Sequence, residues 1–457
     1  VSALRIVIVG GGSYGWAPLF CRDLALTPEL AGSTIVLHDI DAAAMDLVYR
    51  VGQRLIAAAG ADLRLVQTAS LGEALAGADA VILTITTGGL AAMRHDLEIP
   101  ARYGIAQSVG DTVGPGGLSR GLRAVPVVAG IAREMARHCP DAWLLNYTNP
   151  MSTLTRVVGR ETAIKVVGLC HEWLGVRAKL AAAFALPEAA LEPRLAGINH
   201  LVWLLDLAHD GRCLMPDVRA LAAGVLAGDV ELDPDDDSPM GDHGRVKARL
   251  LQLYGGLPCA GDRHVAEFFP HFLTAATGWG ETYRVGLTTV EHRAAWRAED
   301  RARLEAILSG ELDVAPFLAE RSDEAAHSIL AALAADGTYR GIMNLPNAGQ
   351  IGNLPPGVVV ETLGEIDRRG ARGLPAGDLP PGIHAVVSRH ISNQELIVEA
   401  ALTGDISLAR QALLNDPLVS LPPETAVAML DELLAANREH LPHFFDHHTR
   451  TQPEIIR

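Results

Sequence analysis

Two short stretches carry residues able to do chemistry: Cys170-His171-Glu172, and Asn199-His200 thirty positions further on. Each follows a short apolar run, Val166 to Leu169 and Leu195 to Ile198, so each sits where a buried strand would end. In an open α/β sheet, ligands bind at the carboxyl ends of the strands. A cysteine thiolate and an imidazole meeting there form half a site for a soft or borderline divalent metal. Taken singly, Cys170 and His200 read equally well as ordinary buried side chains, because free cysteine is among the most buried residue types. The rest of the chain tips that balance towards a site.

A third stretch, Asp262-Arg263-His264, sets an acid, a guanidinium and an imidazole side by side. The aromatic run Phe268-Phe269 that follows would exclude water. Asp262 is also a natural cap for a helix starting near Arg263. The glycine-rich loop Gly110 to Gly117 carries Asp111 and leads to Arg120 and Arg123, groups suited to sugar hydroxyls and an acidic substituent. Asn149, held by the following Pro150, ends another apolar run and can both donate to and accept from a hydroxyl.

These groups need a scaffold, and the first half of the chain describes one. Leu4 to Val9 is a buried parallel strand by its branched residues, and it runs into Gly10-Gly11-Gly12-Ser13-Tyr14-Gly15. A helix is expected from Pro18 to Leu26, and a second strand, Thr34 to Leu37, ends at His38-Asp39. This is the G-x-G-x-x-G pattern in its dinucleotide-binding context. Gly10 permits the tight turn, Gly12 and Ser13 lie where a pyrophosphate approaches, and Gly15 would allow close helix–strand packing. Phosphates would rest on the helix N-terminus. Asp39 stands where a ribose 2′-hydroxyl would be held, which favours NAD over NADP. The strand Ala78 to Ile85 delivers Thr86-Thr87-Gly88-Gly89 to the same crevice, and further strands end at Asn149 and Cys170.

Strand–helix alternation weakens after about residue 205. We expect Arg245 to Tyr254 and Val314 to Ala335 as helices, and two or three short strands between Ile342 and Glu361. A C-terminal helix pair is expected from Ser388 to Asn437. The fold class is therefore α/β, a Rossmann-type doubly wound parallel sheet plus a second α+β domain with a small sheet and C-terminal helices. The expected boundary gives an NAD-binding domain at 1–195 and a substrate, metal and oligomerisation domain at 196–457. The run Asp233-Pro234-Asp235-Asp236-Asp237 reads as a solvated turn. His440, His443, His447 and His448, with Asp446 among them, match no ligand spacing.

At 457 residues the chain exceeds one hydrophobic core, and 49% hydrophobic with 20% charged residues describes a globular protein. With 54 acidic against 38 basic residues, the net charge of −16 disfavours nucleic acid and anionic membranes as partners. Five cysteines at irregular spacing make no disulfide framework and suit a reducing compartment, so a cytoplasmic location is expected. An anionic ligand would need a local pocket of positive charge.

Together these motifs resemble glycoside hydrolase family 4, the NAD- and Mn-dependent glycosidases, over essentially the full length. Its carriers are the glycine fingerprint, Gly110 to Gly117, Asn146 to Pro150, Cys170-His171-Glu172, Asn199-His200, Gly261 to His264 and Asn353-Leu354-Pro355. The α-galacturonidase branch is the most similar, through Ser108 to Thr112, Ala260 to His264, and Arg389 to Glu395. The resemblance implies NAD and Mn²⁺ as cofactors and a route outside the two-carboxylate mechanisms. Hydride leaves C3 of the sugar, a base removes the C2 proton, the C1 oxygen is eliminated, water adds, and hydride returns. It implies Cys170 and His200 as metal ligands, His171 as the group assisting leaving-group departure, and Asp262 as the C2 base. It also implies Asn149 and Asp111 as substrate contacts, and a homodimer or homotetramer.

Asp262 falls where 6-phosphoglycosidases carry a tyrosine, which argues against a phosphosugar. An acidic C6 group then needs a cation, with Arg120, Arg263, His264 and Arg389 as candidates. The expected substrate is a small acidic glycoside, an α-galacturonide first. The alternatives are a sulfoquinovosidase of the same mechanism and, from another class, a simple NAD-dependent 2-hydroxy-acid dehydrogenase.

Overall fold

A computed structural model describes residues 2–232 and 240–445. The acidic run at 233–237 and the tail residues Asp446, His447 and His448 lie outside them.

Short, near-continuous apolar runs build six parallel strands in the first half: β1 (Arg5–Val9), β2 (Thr34–His38), β3 (Arg64–Gln67), β4 (Ala80–Leu83), β5 (Trp143–Asn146) and β6 (Lys165–Gly168). Their order in the sheet is 3-2-1-4-5-6, so the order reverses between β1 and β4. Loops leaving these two strands open the crevice where dinucleotides bind. Helices cover both faces. The Trp16–Ala25, Ala42–Ala58 and Ala326–Ala334 helices bury one, and the Gly89–Arg102 and Gly114–His138 helices with the C-terminal helices bury the other.

The remaining strands are β7 (Glu192–Ile198), β8 (Leu201–His209), β9 (Arg212–Cys213), β10 (Leu257–Pro258), β11 (Tyr339–Pro346), β12 (Val359–Asp367) and β13 (Gly370–Gly373). They do not stand apart as a small sheet. Among the described residues they continue the parallel sheet as an antiparallel extension, β6-β11-β12-β7-β8-β10. The join is one residue pair, Asn344 with Gly168. Asn344 also pairs with Glu361, and Glu361 with Gly197. One row across the sheet therefore links the strand ending at Cys170 to the strand ending at His200.

Three expectations in the second half differ. Val314 to Ala335 is not continuous: a short 3-10 turn at Pro316–Leu318 is separated from the Ala326–Ala334 helix. Asp23 accepts both the backbone N–H (3.0 Å) and the hydroxyl of Ser322, pulling the chain off the helical path. Residues Ile351 to Pro356 form a loop, because the Asn347 amide donates to the carbonyls of Ile351, Leu354 and Pro355 at 3.0–3.1 Å. The C-terminal helix pair is three helices, Pro381–Thr403, Ile406–Asn415 and Pro423–Ala436, with Asp405 capping the second through Ser407 N.

Candidate active site

The glycine turn is built for close approach. Gly10 has φ +98°, and a Cβ there would lie 1.9 Å from the Thr84 carbonyl oxygen, so only glycine fits. Gly10 and Gly11 N–H both donate to His38 O, and Ser13 N donates to Gly10 O. Asp39 ties the turn to β2 by accepting from Gly12 N (2.8 Å) and Asp41 N (2.9 Å). At the start of the Trp16–Ala25 helix, Trp16 N donates to Ser13 Oγ (3.3 Å) and Ala17 N to Ser13 O, and Pro18 has no N–H to offer. A turn only glycine can make, at the start of a helix, leaves room for a pyrophosphate to approach the backbone. Gly15 departs from its expected role: it is exposed, and its nearest neighbour is Asp300 of the Val290–Ser309 helix, not a strand. Thr86 is exposed on the loop after β4.

Asp111, His200 and His264 bring one ligand atom each to within 4.8 Å of one another. His200 is 4% exposed, in the two-residue turn between β7 and β8, at φ +62°. Such a backbone is uncommon outside glycine and is typical of sites that aim a side chain. The Thr112 hydroxyl lies 2.7 Å from Asp111 Oδ1 and 2.9 Å from His200 Nδ1. It donates to the carboxylate and accepts from Nδ1–H, which leaves the Nε2 lone pair of His200 outward. The His200 and His264 rings lie 3.8 Å apart. Burial, then the neighbouring His264, lowers the His200 pKa to about 3. Burial raises the Asp111 carboxyl, but the charges of His264 and Arg120 outweigh it and hold it well below the ordinary range. An anionic oxygen and a neutral imidazole with a second ring beside it fit a divalent cation.

Cys170 is not a member of this group. Its thiol is pushed well up by burial and then by the Glu361 and Glu172 carboxylates, and it accepts from the Glu172 backbone. Glu361, 2% exposed in β12, is itself raised to about 8 by burial.

A cavity of about 240 Å³ opens beside these groups, walled by His171, Glu172, Lys179, Asp242, Asp262, Arg263 and His264 among others. His171 Nδ1 lies 2.8 Å from Glu324, and that hydrogen bond, outweighing burial, raises the imidazole pKa to about 9. Asp262 is 2% exposed and accepts from Val246 N and Lys247 N, both at 3.0 Å. It therefore caps the Arg245–Tyr254 helix rather than one starting near Arg263. Lys247 Nζ lies 3.3 Å from it and also binds Asp242. Burial raises the Asp262 pKa, Lys247 opposes this and Asp242 adds to it.

Arg120 Nε donates to Asn149 O (2.9 Å), and Asn149 Nδ2 reaches Asp111 Oδ2 at 3.3 Å. Asn149 Oδ1, Arg263 Nε, His264 Nδ1 and both polar atoms of Asn199 are buried without a partner. Unsatisfied buried polar atoms are costly, so this set calls for a polar ligand. Arg123 instead makes a buried bidentate pair with Asp96 (2.9 and 2.7 Å). Arg389 is exposed on the Pro381–Thr403 helix and belongs neither to the cluster nor to the cavity wall.

Several residues carry no signal in sequence. Glu267, fully buried, accepts from Val109 N and Gly110 N at 2.8 Å and holds the Asp111 loop. Glu324, Lys247 and Asp242 set the surroundings of His171 and Asp262, and nothing in their local spacing points there.

Residues 5–186 match the family 4 glycosyl hydrolase model, and residues 195–419 match its C-terminal domain. The chain is 38% identical to an alpha-galacturonidase of Bacillus subtilis, over 94% of this chain and 97% of that protein. The crystal structure of the Bacillus subtilis protein lplD superposes with a TM-score of 0.89 at 36% identity, covering 95% of this chain and 100% of that one. A 6-phospho-alpha-glucosidase from gut microorganisms, solved with NAD and Mn²⁺, shares the fold (TM-score 0.80, 21% identity, 96% and 99% covered). The chain thus belongs to glycosyl hydrolase family 4.

Proposed function

We propose that this glycoside hydrolase is an α-glycosidase for a hexoside with an acidic group at C6, an α-galacturonide first, working by oxidation at C3 and elimination across C1–C2. The observation that carries it is the convergence of Asp111, His200 and His264 with unpartnered buried polar atoms beside the His171–Asp262 cavity. The relatedness to an alpha-galacturonidase supports the sugar, and the NAD and Mn²⁺ bound in a family 4 neighbour support the cofactors.

Bound NAD would take and return the C3 hydride, and a bound divalent cation would polarise the C2 and C3 oxygens. The glycine turn with Asp39 would hold the dinucleotide, and Thr86 lies on the loop facing it. His200, Asp111 and His264 would hold the cation, and Cys170, outside that cluster, is the further ligand that the family resemblance implies. Asn149 Oδ1 accepts from a substrate hydroxyl. Asp262 receives the C2 proton, and its fixed contacts with Val246, Lys247 and the Lys247 ammonium orient it. His171, protonated at neutral pH through Glu324, gives its proton to the leaving oxygen. Arg120 and Arg263 form the cationic side of the site.

The test is a panel of 4-nitrophenyl α-glycosides of galacturonic acid, glucuronic acid, sulfoquinovose and galactose, assayed with NAD and Mn²⁺. Hydrolysis of the galacturonide with many turnovers per NAD and no build-up of reduced nicotinamide supports the proposal. Steady NADH accumulation without sugar release would favour the dehydrogenase.

A further inference from the structure

We propose that Glu267 is a positioning residue for the cation site: from the Asp262–Glu267 helix it fixes the loop that carries Asp111 relative to His264, and so sets the affinity for the divalent cation. This rests on the reading of Asp111, His200 and His264 as the cation's ligands, and adds to it a residue outside that cluster.

The first observation is a double grip next to Asp111. Val109 and Gly110 run directly into Asp111, and their consecutive N–H groups both donate to Glu267 Oε1 at 2.8 Å. Successive N–H groups closing on one oxygen hold two peptide planes at once. Glu267, Val109 and Gly110 are all buried. A carboxyl at that depth is costly unless hydrogen bonds offset it. Its other oxygen, Oε2, has no partner, so the grip on these two peptides is what offsets the burial.

The second is the helix that presents it. Asp262, Arg263, His264 and Glu267 share one short helix, and His264 and Glu267, three residues apart, leave the same side of it. The Ser108 hydroxyl donates to Arg263 O, and Arg263 Nη2 lies 3.4 Å from Ser108 O. Residues 108–110 are therefore laced to the helix that carries one cluster member, and the next residue in the chain is another.

The third is that the far end of the loop is held separately. Gly114 N donates to Asp416 Oδ2 at 2.9 Å, and Gly116 N to Gln107 Oε1 at 2.8 Å. Gly110 and Gly114 both bend the chain at φ +71°, which glycine allows without strain. Asp111, Thr112 and Val113 span these two bends. Releasing the Glu267 end frees Asp111 to swing while the Asp416 end keeps the loop in place.

The test titrates Mn²⁺ and NAD, each alone, into full-length wild type, Glu267→Gln, Glu267→Leu and Glu267→Asp. Free Mn²⁺ is read by EPR and NAD by quenching of protein fluorescence. Glu267→Gln keeps an accepting oxygen at the same reach and should bind Mn²⁺ nearly as wild type does. Glu267→Leu removes the acceptor and should weaken Mn²⁺ by about 10–100-fold, the range for groups that orient ligands. NAD affinity, which depends on the Gly10 turn and Asp39, should not change. Should Glu267→Leu fail to fold, Glu267→Asp, one methylene short of the loop, carries the same expectation. Unchanged Mn²⁺ affinity in the folded variant overturns the assignment, as does Glu267→Gln as weak as Glu267→Leu or an equal loss of NAD affinity. Asp111→Asn that binds Mn²⁺ as tightly as wild type overturns instead the reading of the cluster.

Discussion

The Thr112 hydroxyl lies 2.9 Å from Nδ1 of His200 and 2.7 Å from Asp111 Oδ1, bridging two members of the Asp111–His200–His264 cluster. It fixes the tautomer of the imidazole and leaves the Nε2 lone pair free for a cation. Groups that orient ligands in this way are worth about 10–100-fold in metal affinity. Thr112→Val should weaken Mn²⁺ binding within that range, measured by the EPR signal of free Mn²⁺, while His200→Ala should weaken it further. Unchanged affinity in Thr112→Val would show that the tautomer is set elsewhere.

The His171–Glu324 contact fixes a pH limit. The folded imidazole pKa is raised to about 9, so the proton-donating form persists through neutrality and is lost as pH climbs through that value. Any stability the pair adds follows the same sign: full below the unfolded value of about 6.5 and gone above the folded one. In Glu324→Gln the alkaline limb of kcat should move to lower pH for glycosides with poor leaving groups. 4-Nitrophenyl glycosides, which leave without a proton, should be less affected. An unmoved limb would release His171 from this role.

Asp262 divides two accounts cleanly. As base, Asp262→Asn should lower kcat by about a thousandfold or more, the upper range of general-base contributions. As a helix cap alone, Asn replaces Asp about equally well, so the change should leave both the melting temperature and turnover nearly intact. Thermal melting and kcat measured on the same preparation separate these outcomes.

Arg123 belongs to the scaffold. Its buried pair with Asp96 means that Arg123→Ala strands a carboxylate in the core, at a cost of about 3–5 kcal/mol. Stability in denaturant should fall accordingly, with little change in KM. A KM effect on a stably folded variant would return Arg123 to the substrate site.

Why some of this was readable in sequence follows from range. The parallel strands, the Gly10 turn and the Arg245–Tyr254 helix announce themselves through local periodicity and capping. Asp111, Asn149 and His200 stand out because each follows a strand or sits in a glycine-rich loop, and His264 because it follows Asp262 and Arg263 directly. The antiparallel extension of the sheet does not show, since one long-range pair, Asn344 with Gly168, creates it. Glu324 is hidden for a similar reason: the break that frees it depends on Asp23, some three hundred residues earlier. Arg123 and Arg389 illustrate the converse, as the type and spacing of an arginine do not say whether it faces a core acid, solvent or a ligand.

The central claim is that a C–H bond at C2 is broken before the glycosidic bond. Hydrolysis of 4-nitrophenyl α-galacturonide in D₂O, with NAD and Mn²⁺ present, tests it directly by NMR of the released sugar. The account predicts deuterium at C2 of the product. Product with only hydrogen at C2 would contradict it.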